Sequence, residues 1–264
     1  MGNGPLVSIV IPLYNSQNDI LNCLKSISNQ LYKNYEIIIV DDGSTDNSLN
    51  IVKDFKEKHP EILVKLFSQK NSGPSKARNV GISESKGELI AFIDSDDEWR
   101  ENKLNCIVPI FNNPEIAIVA SLYSIGEKEV FENLDDSIEF ISFNKLLLKN
   151  YFVTSGTVCR ASVLNYFRFN ESQKYSEDYR LWLEICSHGY RSVLLHSSLT
   201  RMNAKPIYGS RGLSSKLYEM EKGELHNFMY LFKIHKINLF QVSIAVIFSL
   251  VKYCIRVINV KIKY

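Results

Sequence analysis

The stretch "YEIIIVDDGSTDNSLNIVKDFKEKH", residues 35–59, sets a β-branched run, a polar turn and a helix-forming segment in that order. An apolar run bounded by turn residues suits a strand buried on both faces, as in a parallel sheet covered by helices. The turn then offers Ser44 as the N-cap of the following helix.

The same unit stands on either side. "LVSIVIPLY" (6–14) is a β-branched run stopped by Pro12, and "SQNDILNCLKSISNQ" (16–30) follows with Ile20, Leu21, Leu24 and Ile27 at helical spacing and a cap near Ser16. "ILVKLFSQKNSGPSKARNVGISES" (62–85) is a third unit, and "ELIAFIDSDDEW" (88–99) and "IAIVASLYSIG" (116–126) add strands. Strands alternating with helices predict an α/β fold, Rossmann-like, with a mostly parallel central sheet flanked by helices. Ligands of such sheets gather beyond the carboxyl ends of the strands, where Asp41, Asp42, Asp94 and Asp96 all fall. After about residue 126 the alternation weakens, leaving helices at "SFNKLLLKNYF" (142–152) and "SEDYRLWLEICSHG" (176–189) and a strand at "RSVLLHSSLTRM" (191–202). No linker divides the chain, so one domain over 1–212 with a C-terminal helical segment over 213–264 is expected.

With 264 residues, 45% hydrophobic and 23% charged, the chain belongs to the folded class and not the disordered one. A net charge of +2 gives no bulk field for nucleic acid. Five cysteines, odd in number and without a CxxC pair, point to reduced thiols in the cytoplasm and away from a disulfide or zinc framework. "MGNGPLVSIVIPLY" lacks the basic segment and the long apolar run of a secretory signal.

Three carboxylates at Asp94, Asp96 and Asp97 repel one another, so a cation is expected there. For "VDDGSTD" (40–46) a turn or cap is the plain alternative to a ligand role. If neighbouring strands bring both clusters to one rim, one can hold nucleotide hydroxyls while the other holds Mg²⁺ or Mn²⁺ on a diphosphate. "NSGPSKARNVG" (71–81) enters a helix bearing Lys76 and Arg78 and could favour phosphate, yet it matches neither GxxxxGK[ST] nor GxGxxG. Glu177 and Asp178 at a helix start either complement the macrodipole or supply a general base.

Taken in order, "VSIVIPLYN", "VDDGSTD", "NSGPSKARN", "IDSDD" and "SEDYRLWL" resemble the inverting family 2 glycosyltransferases of GT-A fold, across roughly residues 6 to 190. The resemblance implies that Pro12, Tyr14, Asp41 and Asp42 line a uridine pocket and that Gly73 and Arg78 sit against the nucleotide. It implies that Asp94, with Ser95 beside it, meets the ribose or donor sugar, that Asp96 ligates Mn²⁺ or Mg²⁺, and that Asp178 is the base. The implied reaction moves a hexose from a UDP-sugar to a lipid-diphosphate-linked saccharide with inversion, as in bacterial O-antigen or capsule assembly. "LTRMNAKPIYGSRGLSS" (199–215) departs from the family, where a His often follows the base; Arg201, Lys205 and Arg211 are the available cations. A nucleotidyltransferase and an acidic-pocket signalling domain of receiver type are the rival readings.

The tail "NLFQVSIAVIFSLVKYCIRVINVKIKY" (238–264) has an uncharged run of about 13 residues before Lys252, too short for a bilayer core of about 30 Å. On a helix Gln241, Ser249, Lys252, Arg256, Asn259 and Lys263 share one stripe. Such a basic amphipathic helix either lies on the anionic inner face of a membrane, as a peripheral anchor, or packs on the domain.

Overall fold

The structure, a computed structural model, describes residues 4–126, 137–202 and 216–262. Its first half repeats one unit. Strand β1 (Val7–Leu13) leads to helix α1 (Ile20–Ser28), β2 (Tyr35–Asp41) to α2 (Ser48–Lys58), and β3 (Val64–Ser68) to α3 (Pro74–Glu84), before β4 (Leu89–Phe92). β1 lies between β2 and β4, parallel to both, with Val10 beside Ile38 on one side and Phe92 on the other. The strands are apolar without alternation because both faces are covered. Ile9 and Ile11 point into a core with Ile37, Ile39 and Leu24, while Val10 points to the opposite core with Ile90, Phe92 and Trp182. α3 comes so close to β1 that a Cβ on Gly81 would lie 2.3 Å from Val10 Cγ1.

Beyond β4 the sheet is mixed. β5 (Asp97–Trp99), α4 (Lys103–Ile107), β6 (Ile116–Ile125), β7 (Ile138–Ile141), α5 (Phe143–Leu148), β8 (Thr157–Arg160), α6 (Ala161–Leu164), α7 (Glu177–Ser187) and β9 (Arg191–Met202) follow in order. β8 runs antiparallel to β4 and β6, β9 runs parallel to β6, and β5 and β7 pair antiparallel with β9. The order across the sheet is β3-β2-β1-β4-β8-β6-β9-β5. The expected parallel sheet therefore holds for the N-terminal half, and the reversal of β8 brings the start of a strand, instead of its end, to the rim. That rim is set by register, since Leu13 pairs with Asp41 and Asp41 with Ser68.

Both expected caps shift. α2 begins at Ser48, because Asp46 accepts from the Ser48 amide and hydroxyl, while Ser44 Oγ is taken up by the Asn15 N–H. α1 begins at Ile20 with the Ser16 carbonyl accepting from the Asp19 and Ile20 amides, so Ser16 closes a turn ahead of the helix.

The tail differs most from expectation. α8 (Leu217–Lys233) and α9 (Leu239–Ile262) pack together, and α9 is long and apolar enough, by length and composition, to cross a membrane over Leu239–Val260. The uncharged run alone is shorter than a bilayer core, but the longer stretch that includes Lys252 and Arg256 is apolar enough on average, and both of these cations turn toward the domain. Ser249 Oγ lies 2.8 Å from both Glu221 Oε1 and Glu224 Oε2 of α8. Arg256 Nη2 lies 2.9 Å from Glu221, and Lys252 Nζ donates to the Leu148 carbonyl of α5 at 2.8 Å. Val242 and Ala245 join the core that holds Phe228 and Trp182, whereas Phe240, Ile247, Phe248 and Ile255 are exposed. Ser249, Lys252 and Arg256 of the polar stripe thus face the domain, as in the packed reading, while Asn259 is exposed and the apolar face looks outward. Lys263 lies outside the described residues.

Candidate active site

The loops that follow β1, β2 and β4 are sewn to one another at the rim. Asn15 N–H donates to Ser44 Oγ at 3.1 Å, Ser16 N–H to Ser48 Oγ at 2.8 Å and Gln17 N–H to Asp46 Oδ2 at 3.0 Å. Ser16 Oγ meets Ser95 Oγ at 2.7 Å, which ties the loop after β1 to the acidic turn after β4. Above them opens a cleft of about 850 Å³. Pro12, Tyr14, Asp42, Gly73, Arg78, Asp94, Ser95, Asp96 and Asp178 all line it.

Asp41 and Asp42 do different work. Asp41 is buried, accepts the Ser44 N–H at 3.1 Å and closes the turn; it is absent from the cleft wall. Asp42 Oδ1 accepts from Gln69 Nε2 and the Ser72 N–H, both at 2.7 Å, and its Oδ2 accepts the Gly73 N–H at 2.8 Å. One carboxylate therefore shapes the turn that leads into α3. Gly73 has φ of 92°, a left-handed conformation that a side chain would strain, although a Cβ there would touch nothing within 4 Å.

Arg78 joins the two sides of the cleft. Its side chain is buried, with Nη2 2.7 Å from Asp94 Oδ1, Nη1 3.0 Å from Glu177 Oε1, and the guanidinium 5.2 Å from the centre of the Phe169 ring. One guanidinium faces the carboxyls of Asp94, Glu177 and Asp178. Burial raises the pKa of Glu177, with the Asp178 charge adding to it, and burial likewise raises Asp178 against the opposing pull of the Tyr179 N–H, Arg78 and Thr154. With three acids against one cation, the Glu177–Asp178 pair holds its proton above the ordinary carboxylate range.

Asp94, Asp96 and Asp97 each offer an oxygen within 4.8 Å of the others. Asp97 is buried and accepts from Ser155 Oγ at 2.5 Å, and the same hydroxyl accepts the Asp94 N–H at 3.0 Å. Carboxylate oxygens alone form a hard donor set suited to Mg²⁺ or Mn²⁺. Across the cleft, Thr154 Oγ1 donates to Asp178 Oδ2 at 3.2 Å.

Sequence reasoning missed Glu177 as the second partner of Arg78 and the whole turn 154–156. That turn precedes β8 and enters the rim only because β8 runs backwards. Arg201, a candidate for the missing His, is held by Glu98 instead; Lys205 and Arg211 lie outside the described residues.

Residues 8–172 match the family model described as Glycosyl transferase family 2. The chain is 36% identical over 185 residues to the minor teichoic acid biosynthesis protein GgaA of Bacillus subtilis, covering 66% of this chain and 41% of that one. It is 32% identical over 180 residues to the UDP-Glc:alpha-D-GlcNAc-diphosphoundecaprenol beta-1,3-glucosyltransferase WfgD of Escherichia coli, covering 68% and 69%. In fold it resembles the mannosyltransferase PcManGT of Pyrobaculum calidifontis, solved with GDP-Man and Mn²⁺, at a TM-score of 0.71 and 19% identity, over 94% of this chain and 74% of that one.

Proposed function

Because this chain belongs to glycosyl transferase family 2 and carries the GT-A fold, we propose that it moves a hexose from a UDP-sugar to a lipid-diphosphate-linked saccharide with inversion, in bacterial surface polysaccharide assembly. The observation that carries the reading is the cleft itself, lined by the acids after β4 and by Asp178 at the start of α7, with Arg78 paired to Asp94 and to Glu177 beside Asp178. The catalytic unit is taken as 1–212 and the tail as 213–264.

Among the described residues, the cleft is lined by Asp42, Asp94, Asp96, Glu171, Glu177 and Asp178 against Arg78 and Lys174 as the only cations. A doubly charged diphosphate entering so acidic a space needs a counter-ion. The residues present fit one: Asp96, with Asp94 and Asp97 beside it, would hold Mn²⁺ or Mg²⁺. When bound, the ion supplies the counter-charge for the departing diphosphate. Pro12 near the end of β1 and Tyr14 just after it line the cleft and would take the uracil, while the turn shaped by Asp42 presents Gly73 to the nucleotide.

Asp178 Oδ2 accepts the proton of the acceptor hydroxyl as that oxygen attacks the anomeric carbon. The bond from that carbon to the β-phosphate oxygen breaks, with its electrons leaving on UDP, and attack from the opposite face inverts the centre. Thr154 fixes the direction in which Asp178 presents its oxygen.

The outward apolar face of α9 supports peripheral attachment to the cytoplasmic face of the membrane, where a lipid-linked acceptor is found. The test is a panel of UDP-glucose, UDP-galactose and UDP-N-acetylglucosamine with lipid-diphosphate-linked monosaccharides, read by UDP release and by NMR of the product. A β-linkage from an α-linked donor is expected. An α product would overturn inversion, and pyrophosphate release from a nucleoside triphosphate with a sugar phosphate would favour a nucleotidyltransferase.

A further inference from the structure

Lys103, the first residue of α4, is fully buried. Its ammonium is held by three neutral oxygens: Thr200 Oγ1 at 3.0 Å, Ser121 Oγ at 3.1 Å and the Gly156 carbonyl at 3.2 Å. The Trp99 ring centre lies 5.0 Å away. Burying an ammonium against neutral partners is costly, and burial lowers this one to about 7. Filling space does not require it, since a methionine would occupy much the same volume.

The partners show what the lysine holds. Its contact with Gly156 fixes one end of the turn 154–156, and the Ser155 carbonyl is fixed by Trp99 Nε1–H at 2.7 Å and by the Thr200 hydroxyl at 3.3 Å. From that anchored turn two hydroxyls each hold an acid of the site. Ser155 Oγ donates to Asp97, and Thr154 Oγ1 donates to Asp178. Glycine is required at 156, because a Cβ there would lie 2.9 Å from Val153 Cγ2 and 3.0 Å from the Ser121 carbonyl.

We infer that Lys103 is a positioning residue for glycosyl transfer, its ammonium holding the turn 154–156 from beneath so that Thr154 presents Asp178 to the acceptor. This rests on the reading of Asp178 as the base. Lys103 touches neither substrate nor the acidic cluster; it acts through Gly156 and Thr154.

The test is Lys103→Met, alone and with Thr154→Val, in the full chain with the active substrate pair of the panel and with UDP as the binding probe. Lys103→Met is expected to melt within a few degrees of wild type, because removal of the buried charge offsets the loss of a donor to its three oxygen partners. Its kcat is expected to fall ten-fold or more, with donor KM and UDP affinity within three-fold. If the lysine acts through Thr154, the same change in the Thr154→Val background costs less than three-fold, the non-additivity of a shared path. Wild-type kcat in Lys103→Met, equal losses in both backgrounds, or a loss of UDP affinity matching that of kcat would each overturn the inference. Should Lys103→Met fail to fold, Thr200→Val removes one of the lysine's oxygens and a hydroxyl bond to Ser155, and is read the same way. Asp178→Asn, run beside them, separates the two ideas. Full transfer by that variant removes the base and this inference together, whereas additive losses beside an inactive Asp178→Asn remove only the positioning role.

Discussion

Asp178 combines a position on the cleft wall, a directed bond from Thr154 and a proton affinity raised by burial. Asp178→Asn keeps the size of the side chain and its acceptor oxygen but cannot take a proton. Transfer should fall roughly 10²- to 10⁴-fold, while UDP affinity stays within a few-fold by calorimetry. A parallel loss of UDP affinity would move the residue to the nucleotide side. A base whose pKa is raised must still lose its proton to work, so kcat should climb with pH along a limb above the ordinary carboxylate range. A limb in the ordinary carboxylate range would contradict the burial of the group. Stability follows the opposite course. A carboxyl with a folded pKa above its unfolded one stabilises fully below the unfolded pKa, and that contribution is lost as pH rises through the folded pKa. The melting temperature of Asp178→Asn relative to wild type should therefore rise from acid to neutral pH, a difference that scanning calorimetry at several pH values reads directly.

At the scale of elements, α9 changes the expectation most. Among the described residues its cations Lys252 and Arg256 are engaged with Glu221, Glu224 and the Leu148 carbonyl, so its described outer surface is apolar and not basic. Vesicle binding should be nearly as strong on neutral phosphatidylcholine as on phosphatidylglycerol and should survive high salt. Phe240→Asp with Ile247→Asp should abolish it in sedimentation, with the melting temperature kept, because both positions are exposed. Binding that disappears in salt would restore the basic-stripe reading. Deleting α9 is a poorer test, since Val242 and Ala245 cover the core around Phe228 and Trp182. The stripe of Gln241, Ser249, Lys252 and Arg256 was legible in the sequence, but which side of it faces protein was not. Periodicity fixes which residues share a face, while the partner of that face is set by Glu221 and Glu224 on another helix. Similarly, the acids at 41–42 and 94–97 were legible because they end apolar runs, and strand ends are local signals. Thr154 and Ser155 were not, because they reach the rim through the reversal of β8, a matter of strand order that no local pattern encodes. Lys103 reads in sequence like any solvated lysine, and only the packing of α4 beneath the turn shows otherwise.

For the molecule as a whole, the sheet divides the labour. The parallel half brings together the loops after β1, β2 and β4, and the reversed half brings the turn before β8 and the start of α7 to face them. Between them lies a cleft whose described charges are mostly negative, so transfer should require Mn²⁺ or Mg²⁺ and cease in excess EDTA. Asp96→Ala should remove most of the activity at saturating donor. Full turnover in EDTA would mean that cations within residues 203–215 neutralise the diphosphate. The outward face of α9 carries a further consequence. An enzyme lying on a bilayer meets a lipid-borne acceptor by lateral diffusion in two dimensions, so the acceptor's effective concentration is a surface density. Diluting a fixed amount of acceptor into more neutral lipid should slow turnover even though the amount per volume is unchanged. In detergent the same dilution should act through the number of acceptors per micelle. On the proposed attachment, rates for this protein would be comparable between preparations only as a function of the acceptor's mole fraction in the interface.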